Sequence, residues 1–255
     1  LGTLRTEIAA TGNFNTVEQI GNGIYITRTS NVQNGVEQNF FNVSTPVSEL
    51  LNVVAAEVLT VDDLPRQCKD GFVVKVQNSA AEEDDYYLKF IANNGFDGEG
   101  VWEECVLPGA KTNFDAGTMP LQLVRTNSTT FTLSQVAWEG AEVGDTGVDG
   151  TNPQASFVGK TINKMVFFRN RLAMLSDENV ILSRPGNFFN FWARTAISFS
   201  NVDPIDISAS SEYPAIIYDA IQVNTGLVLF SKNQQFMLTT DSDLFNPNTA
   251  KINRL

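Results

Sequence analysis

Histidine is absent from the 255 residues. Its absence removes the commonest general base, the usual zinc ligand and every Ser-His-Asp or Cys-His arrangement, and it is the strongest single fact against an enzyme. Cysteine is scarce. Cys68 and Cys105 stand 37 residues apart, which in a chain of this length is no disulfide framework, so both are read as reduced and structural. Positive charge is scarce as well: 17 Lys and Arg face 29 carboxylates, for a formal net charge of −12. Proteins that hold nucleic acid gain affinity by replacing counterions with Lys and Arg, and this chain has too few to coat a phosphate backbone. Repulsion is its expected relation to DNA. No apolar run approaches the roughly 18 to 20 residues of a membrane span, and the first residues lack the basic-then-apolar order of a secretory signal. The chain starts at Leu1 rather than Met and stops at Arg254-Leu255 after the polar run Asn246-Pro247-Asn248-Thr249, so it reads as a piece of something longer.

What is present is mostly strand signal. Residues 1–10 suit the end of a helix stopped by Gly12 and Asn13. Residues 23–28 are β-branched and aromatic, and Asn34-Gly35 is a hairpin turn pair. Val47, Leu50, Leu51, Val54, Ala55 and Val58 fall at helical spacing after Ser44-Thr45-Pro46, which predicts an amphipathic helix with a cap and a proline in its first turn. Short strands follow at 72–76, 86–91, 101–106, 121–125 and 131–136, with a Gly/Asn-rich hairpin loop at 93–100. Residues 139–152 turn acidic and glycine-rich and read as a linker or long surface loop. Beyond Pro153, apolar residues 172–175, Ser176, a polar turn and apolar residues 180–182 are echoed at 227–230, Ser231 and 235–238. Two strand pairs recurring at that spacing suggest propeller blades.

The expected fold class is therefore mainly β: a small β-rich N-terminal region with one or two short helices, then the start of a β-propeller-like domain. The expected divisions are a mixed segment at 1–60 belonging to a platform-like region, a small antiparallel domain at 61–138, the linker at 139–152, and about two incomplete blades at 153–255.

Four groups of residues invite a chemical reading. Glu82-Glu83-Asp84-Asp85 offers oxygens to a hard cation but lacks the alternating ligand spacing and turning glycine of an EF-hand loop, so a solvated loop is favoured. Glu103, Glu104, Asp115 and Glu139 are the carboxylates a glycosidase would need as acid and base, a pairing that any acid-rich protein offers by chance. Lys160, Lys164, Arg169 and Arg171, followed by Arg184 and Arg194, form the only concentration of positive charge. They suit phosphate, an acidic partner, an inter-subunit salt bridge or, as the favoured reading, solvent-facing strand ends. In residues 183–186, Pro185 presets φ and Gly186 accepts a positive φ, as a type II turn requires. In Phe188-Phe189-Asn190-Phe191-Trp192, an extended backbone would put Phe188 and Trp192 on one face, Phe189 and Phe191 on the other. Exposed, they could stack on bases or sugars; a two-sided apolar segment is more often buried between layers, so scaffold is favoured.

These same residues carry a resemblance. Phe167-Phe168-Arg169-Asn170-Arg171-Leu172, Glu178-Asn179-Val180-Ile181-Leu182-Ser183-Arg184, Phe189-Asn190-Phe191 and Asp203-Pro204-Ile205-Asp206 together resemble the tail tubular protein B, or nozzle protein, family of short-tailed phages. Thr151-Asn152-Pro153, Thr118-Met119-Pro120 and Asp85-Tyr86-Tyr87 look like the same family, whereas Ala155, Ala173 and Val202 depart from its pattern. The resemblance implies a structural protein of the virion tail: a homo-hexameric ring that continues the channel below the portal and the tail adaptor, tail tubular protein A. It implies a β-propeller in each subunit, help in anchoring tail fibres, and a bore through which double-stranded DNA passes during ejection without specific binding. Catalytic residues, cofactors, metals and a membrane span are not implied, and the motif residues Phe168, Asn170, Arg171, Leu172, Asn179, Ser183, Arg184, Phe189, Asn190, Phe191, Asp203, Pro204 and Asp206 are expected to be structural. A propeller-type module binding carbohydrate or protein, with the 188–192 aromatics as its platform, is the alternative.

Overall fold

The computed structural model describes residues 1–33, 36–39, 41–47, 50–77, 85–210 and 213–255. It is mainly β, and it sorts into two compact units: 1–111 with 143–145 and 149–151, and 112–142 with 146–148 and 152–255.

The first unit opens with helix α1 (Gly2–Ala10), which ends where Gly12 takes φ +66° and donates its N–H to the Ala9 carbonyl. The hairpin β1 (Thr16–Ile20) and β2 (Gly23–Thr27) follows. Strands β3 (Thr29–Gln33) and β4 (Val36–Asn39) pair antiparallel with Gln33 opposite Val36; the Asn34-Gly35 pair between them lies outside the described residues. A five-stranded sheet contains β5 (Glu57–Val58), β6 (Gln67–Cys68), β7 (Val73–Val76), β8 (Tyr86–Ala92) and β9 (Gly98–Cys105), in the order β5-β7-β8-β9-β6. Alternation sorts its faces: Val74, Val76, Leu88, Phe90 and Ala92 are buried, with Phe72 and Trp102 packed against them.

Two expectations change here. No helix forms among the described residues of the 47–58 segment: Leu50 and Leu51 are exposed, only Val54 and Val58 reach the core, and β5 pairs parallel with β7. A short isolated helix is marginal in water, and here the sheet takes the backbone groups instead, with the Ala56 and Val58 carbonyls accepting from Lys75 and Gln77. The hairpin loop is also shorter than 93–100, because β9 already begins at Gly98. Gly100 serves the ladder rather than the turn: a Cβ there would lie 2.3 Å from the Ile91 carbonyl and 2.7 Å from the Phe90 ring.

In the second unit the hairpin β10 (Leu121–Arg125) and β11 (Phe131–Gln135) precedes two four-stranded antiparallel meanders. The first meander is β12 (Ile162–Phe168), β13 (Arg171–Ser176), β14 (Asn179–Leu182) and β15 (Ile205–Ser208). The second is β16 (Ile217–Val223), β17 (Gly226–Ser231), β18 (Gln235–Thr240) and β19 (Ala250–Arg254). The repeat read from sequence holds pair by pair. Phe168 opposite Arg171 becomes Val223 opposite Gly226, Ala173 opposite Leu182 becomes Val228 opposite Met237, and the bulge between Ile162 and Lys164 recurs between Ile217 and Asp219.

The two meanders stack through opposite faces of equivalent strands. Ala173, Leu175, Val180 and Leu182 of the first meet Leu227, Leu229, Phe236 and Leu238 of the second in one core. Shifted back by the repeat, those second-sheet positions correspond to 172, 174, 181 and 183. In the first sheet, Leu172, Met174 and Ile181 instead line a separate core with Met119, Ala155, Phe157 and Phe191. Two sheets cannot close a ring, so the structure is an open stack and not a complete propeller.

Candidate functional site

Residues 183–192 are not extended. Arg184-Pro185-Gly186-Asn187 is a turn with Gly186 at φ +72° and Asn187 N–H donating to the Arg184 carbonyl at 3.2 Å, as the Pro-Gly pair predicts. A second turn through Phe188 and Phe189 breaks the alternation expected of a strand. Phe191 and Trp192 are therefore both buried despite being adjacent, while Phe189 is 39% exposed. Trp192 stacks on Phe114 with centroids 5.1 Å apart, and Phe191 meets Phe157 edge-on at 5.3 Å. Phe189 meets Trp138 edge-on at 5.5 Å, and Phe188 meets Phe167 at 5.2 Å. The rings that a stacking platform would need at its centre are inside.

Glu139 holds this turn in place. Its carboxylate accepts from Asn187 Nδ2 at 2.9 Å and from Asn190 Nδ2 at 2.6 Å, its N–H donates to the Phe189 carbonyl, and its carbonyl accepts from Trp192 Nε1 at 2.9 Å. Asn190 Oδ1 in turn accepts from Trp192 N–H. Sequence reading named Glu139 only as one of several scattered carboxylates, and nothing in its spacing marks the amides it serves.

Arg171 organises the other side. It is 1% exposed, and its guanidinium donates to the carbonyls of Ser183 at 2.8 Å, Asp203 at 2.7 Å and Asn201 at 3.2 Å. Burial pushes the guanidinium down to about 10, against the pull of nearby Asp203, so it stays charged at neutral pH. Ser183 Oγ accepts from Leu172 N–H and donates to the Arg184 carbonyl. The Asp203 carboxylate accepts from the N–H groups of Arg194 and Ser200, and Pro204 leads from it into β15. Asp206 accepts from Ser156 N–H at 2.7 Å, and burial raises its carboxyl above the usual range. Asn170 sits at φ +60° in the β12–β13 turn, where its carbonyl accepts from Gly186 N–H. Phe168 lies in the core between the meanders, edge-on to Phe245. Asn179 alone stands apart, at the far end of the β13–β14 hairpin opposite Ser176.

The first four members of the basic run, Lys160 to Arg171, are held by the protein's own groups. Lys160 pairs with Asp177 at 3.4 Å, Lys164 pairs with Asp219 at 3.0 Å, and Arg169 lies over the rings of Phe168 and Phe245. Arg194 is exposed. Of the acidic run, residues 82–84 lie outside the described residues, and Asp85 is buried against Lys75 at 2.7 Å. Asp115 caps a turn through Gly117 N–H, while Glu103 stands opposite Lys89 in the β8–β9 ladder. Among the described residues, no group of three or more His, Cys, Asp or Glu is placed to hold a metal ion, and no helix is long and apolar enough to cross a membrane.

The profile of the bacteriophage nozzle protein family matches residues 1–255. The tail tubular protein gp12 of Escherichia phage T7 is 34% identical over 224 residues, a match covering 82% of this chain and 27% of that protein. The chain thus spans about a quarter of the length of this relative.

Proposed function

The chain belongs to the bacteriophage nozzle protein family, and from that premise we propose that it forms part of the wall of a tail channel. It is a structural component of the virion tail. In this reading six copies close into a ring below the tail adaptor, double-stranded DNA crosses the bore without being bound, and the outer surface helps to anchor tail fibres.

One observation supports the conduit most directly: in the motif region Lys160, Lys164, Arg169 and Arg171 are held by the protein's own carboxylates, carbonyls and rings, while the chain keeps a formal charge of −12. Copies with that balance repel phosphate over a Debye length of about 8 Å at physiological salt. The motif residues are the framework of this wall, since each makes its contacts within its own unit.

The two stacked meanders support a propeller that continues beyond them. The second sheet leaves open the face that the first sheet buries: Ile221, Val223 and Phe230 are 56%, 38% and 39% exposed. Their counterparts Val166, Phe168 and Leu175 pack in the core between the sheets.

The test is a symmetry-resolved electron-microscopy reconstruction of the assembled tail. Six copies around a bore lined by carboxylates, with a further sheet on Phe230, are expected. A monomer, or a channel lined by Lys and Arg, overturns the conduit.

A further inference from the structure

The β10–β11 hairpin is a two-stranded sheet with no third strand on either edge among the described residues. Directly opposite residues in an antiparallel pair share a face, so Leu121, Leu123, Leu133 and Phe131 stand on one side, through the pairs Leu121–Gln135, Leu123–Leu133 and Arg125–Phe131. They are 52%, 65%, 63% and 57% exposed. An isolated two-stranded hairpin is marginal in water, and a bare apolar strand pair with open edges invites association.

Charge narrows the choice of occupant. There is no carboxylate between Asp115 and Glu139, and the one charged side chain on the hairpin is Arg125, anchored to the carbonyls of Asn127 and Ser128. Two copies that each carry −12 repel one another over most of their surfaces. An apolar surface without a carboxylate is one that another acidic copy can approach without like-charge repulsion at the contact itself.

We infer that this hairpin is the surface through which one copy of the chain seats on the next. The inference rests on the ring reading above and adds to it the residues that make the contact.

The experiment compares the full chain with its L123S/L133S variant by sedimentation velocity across a dilution series. The expected result is a monomer in place of the ring, with affinity lowered about 30-fold or more, the effect of losing one well-buried anchor, and unchanged thermal unfolding of the monomer. A ring that persists in the variant overturns the hairpin contact and leaves the ring itself intact. A wild-type protein that sediments as a monomer at every concentration overturns both readings. Maleimide labelling of the L123C variant is the independent check: protection in the assembly and reaction after dilution are expected, whereas protection in the monomer means that the chain's own residues cover the face, and overturns the proposal.

Discussion

Arg171 shows how much structure one residue can carry. A guanidinium this deeply buried is tolerated because three carbonyl oxygens, from Ser183, Asn201 and Asp203, take its protons. Arg171→Leu removes the donor and leaves those carbonyls without it, so a loss of about 3 kcal/mol or more is expected. A urea titration checks it, and a loss under about 1 kcal/mol would mean that water replaces the cation. Arg171→Lys should recover less than half, because one ammonium cannot span three acceptors in the plane of a guanidinium. The sequence conceals this role. Arg171 sits in a run with Lys160, Lys164 and Arg169, and composition alone assigns all four to solvent. Local chemistry reads better: Pro185-Gly186 specifies its turn without help from the rest of the fold, and the turn is there.

At the scale of strands, the repeat is visible in the sequence because apolar runs, serines and polar turns recur in register, and the structure extends it to a shared bulge. The pattern does not show which face of each copy is buried. That depends on what stands alongside: an aromatic cluster covers one face of the first sheet, and the second sheet covers the other. The helix expected at 47–58 failed for a similar reason, since spacing describes a possible face but not whether a neighbour exists to cover it. Ser176 and Ser231 test how far equivalence goes. Ser231 Oγ donates to the Gln234 carbonyl at 2.8 Å, whereas Ser176 Oγ is fully buried with no hydrogen-bond partner among the described residues. Ser231→Ala is therefore expected to cost about 1 kcal/mol, and Ser176→Ala to be neutral or stabilising, because it removes an unsatisfied buried hydroxyl. Equal losses in thermal unfolding of the two variants would show that a hidden partner serves Ser176.

For the whole molecule, the missing histidine has a measurable outcome. No side chain with an ordinary pKa changes charge between about pH 5 and 8, so the unfolding temperature should be flat from about pH 6 to 8. On the alkaline side, burial pushes the Cys105 thiol up to about 11 and raises the Tyr86 and Tyr87 phenols, while Asp85 raises Lys75. Each folded group keeps its proton to a higher pH than the unfolded chain does. Their stabilisation is present below the unfolded values, and it declines as pH rises from about 8.5, where an unfolded thiol ionises. On the acid side, the Lys69 and Lys164 partners lower Asp97 and Asp219, whose contribution is lost as pH falls through the carboxylate range; Asp206 works in the opposite direction. Melting curves at constant ionic strength check the profile, and a step between pH 6 and 8 would contradict it. At this scale the functional reading came from composition and resemblance together, because neither the acid excess nor the strands alone distinguish a conduit from a binding module. The stacking of the meanders also has a consequence in time. The first sheet is complete once Ser208 has been made, but its cover is not complete until Arg254. At about 5 to 20 residues per second, the ribosome leaves the Leu175 face uncovered for roughly 2 to 9 s. A nascent chain stalled with Ser208 outside the ribosome and Arg254 still inside it should bind a hydrophobic dye and release it once Arg254 has emerged, so the first sheet passes through an interval in which it needs either a chaperone or dilution from its own kind.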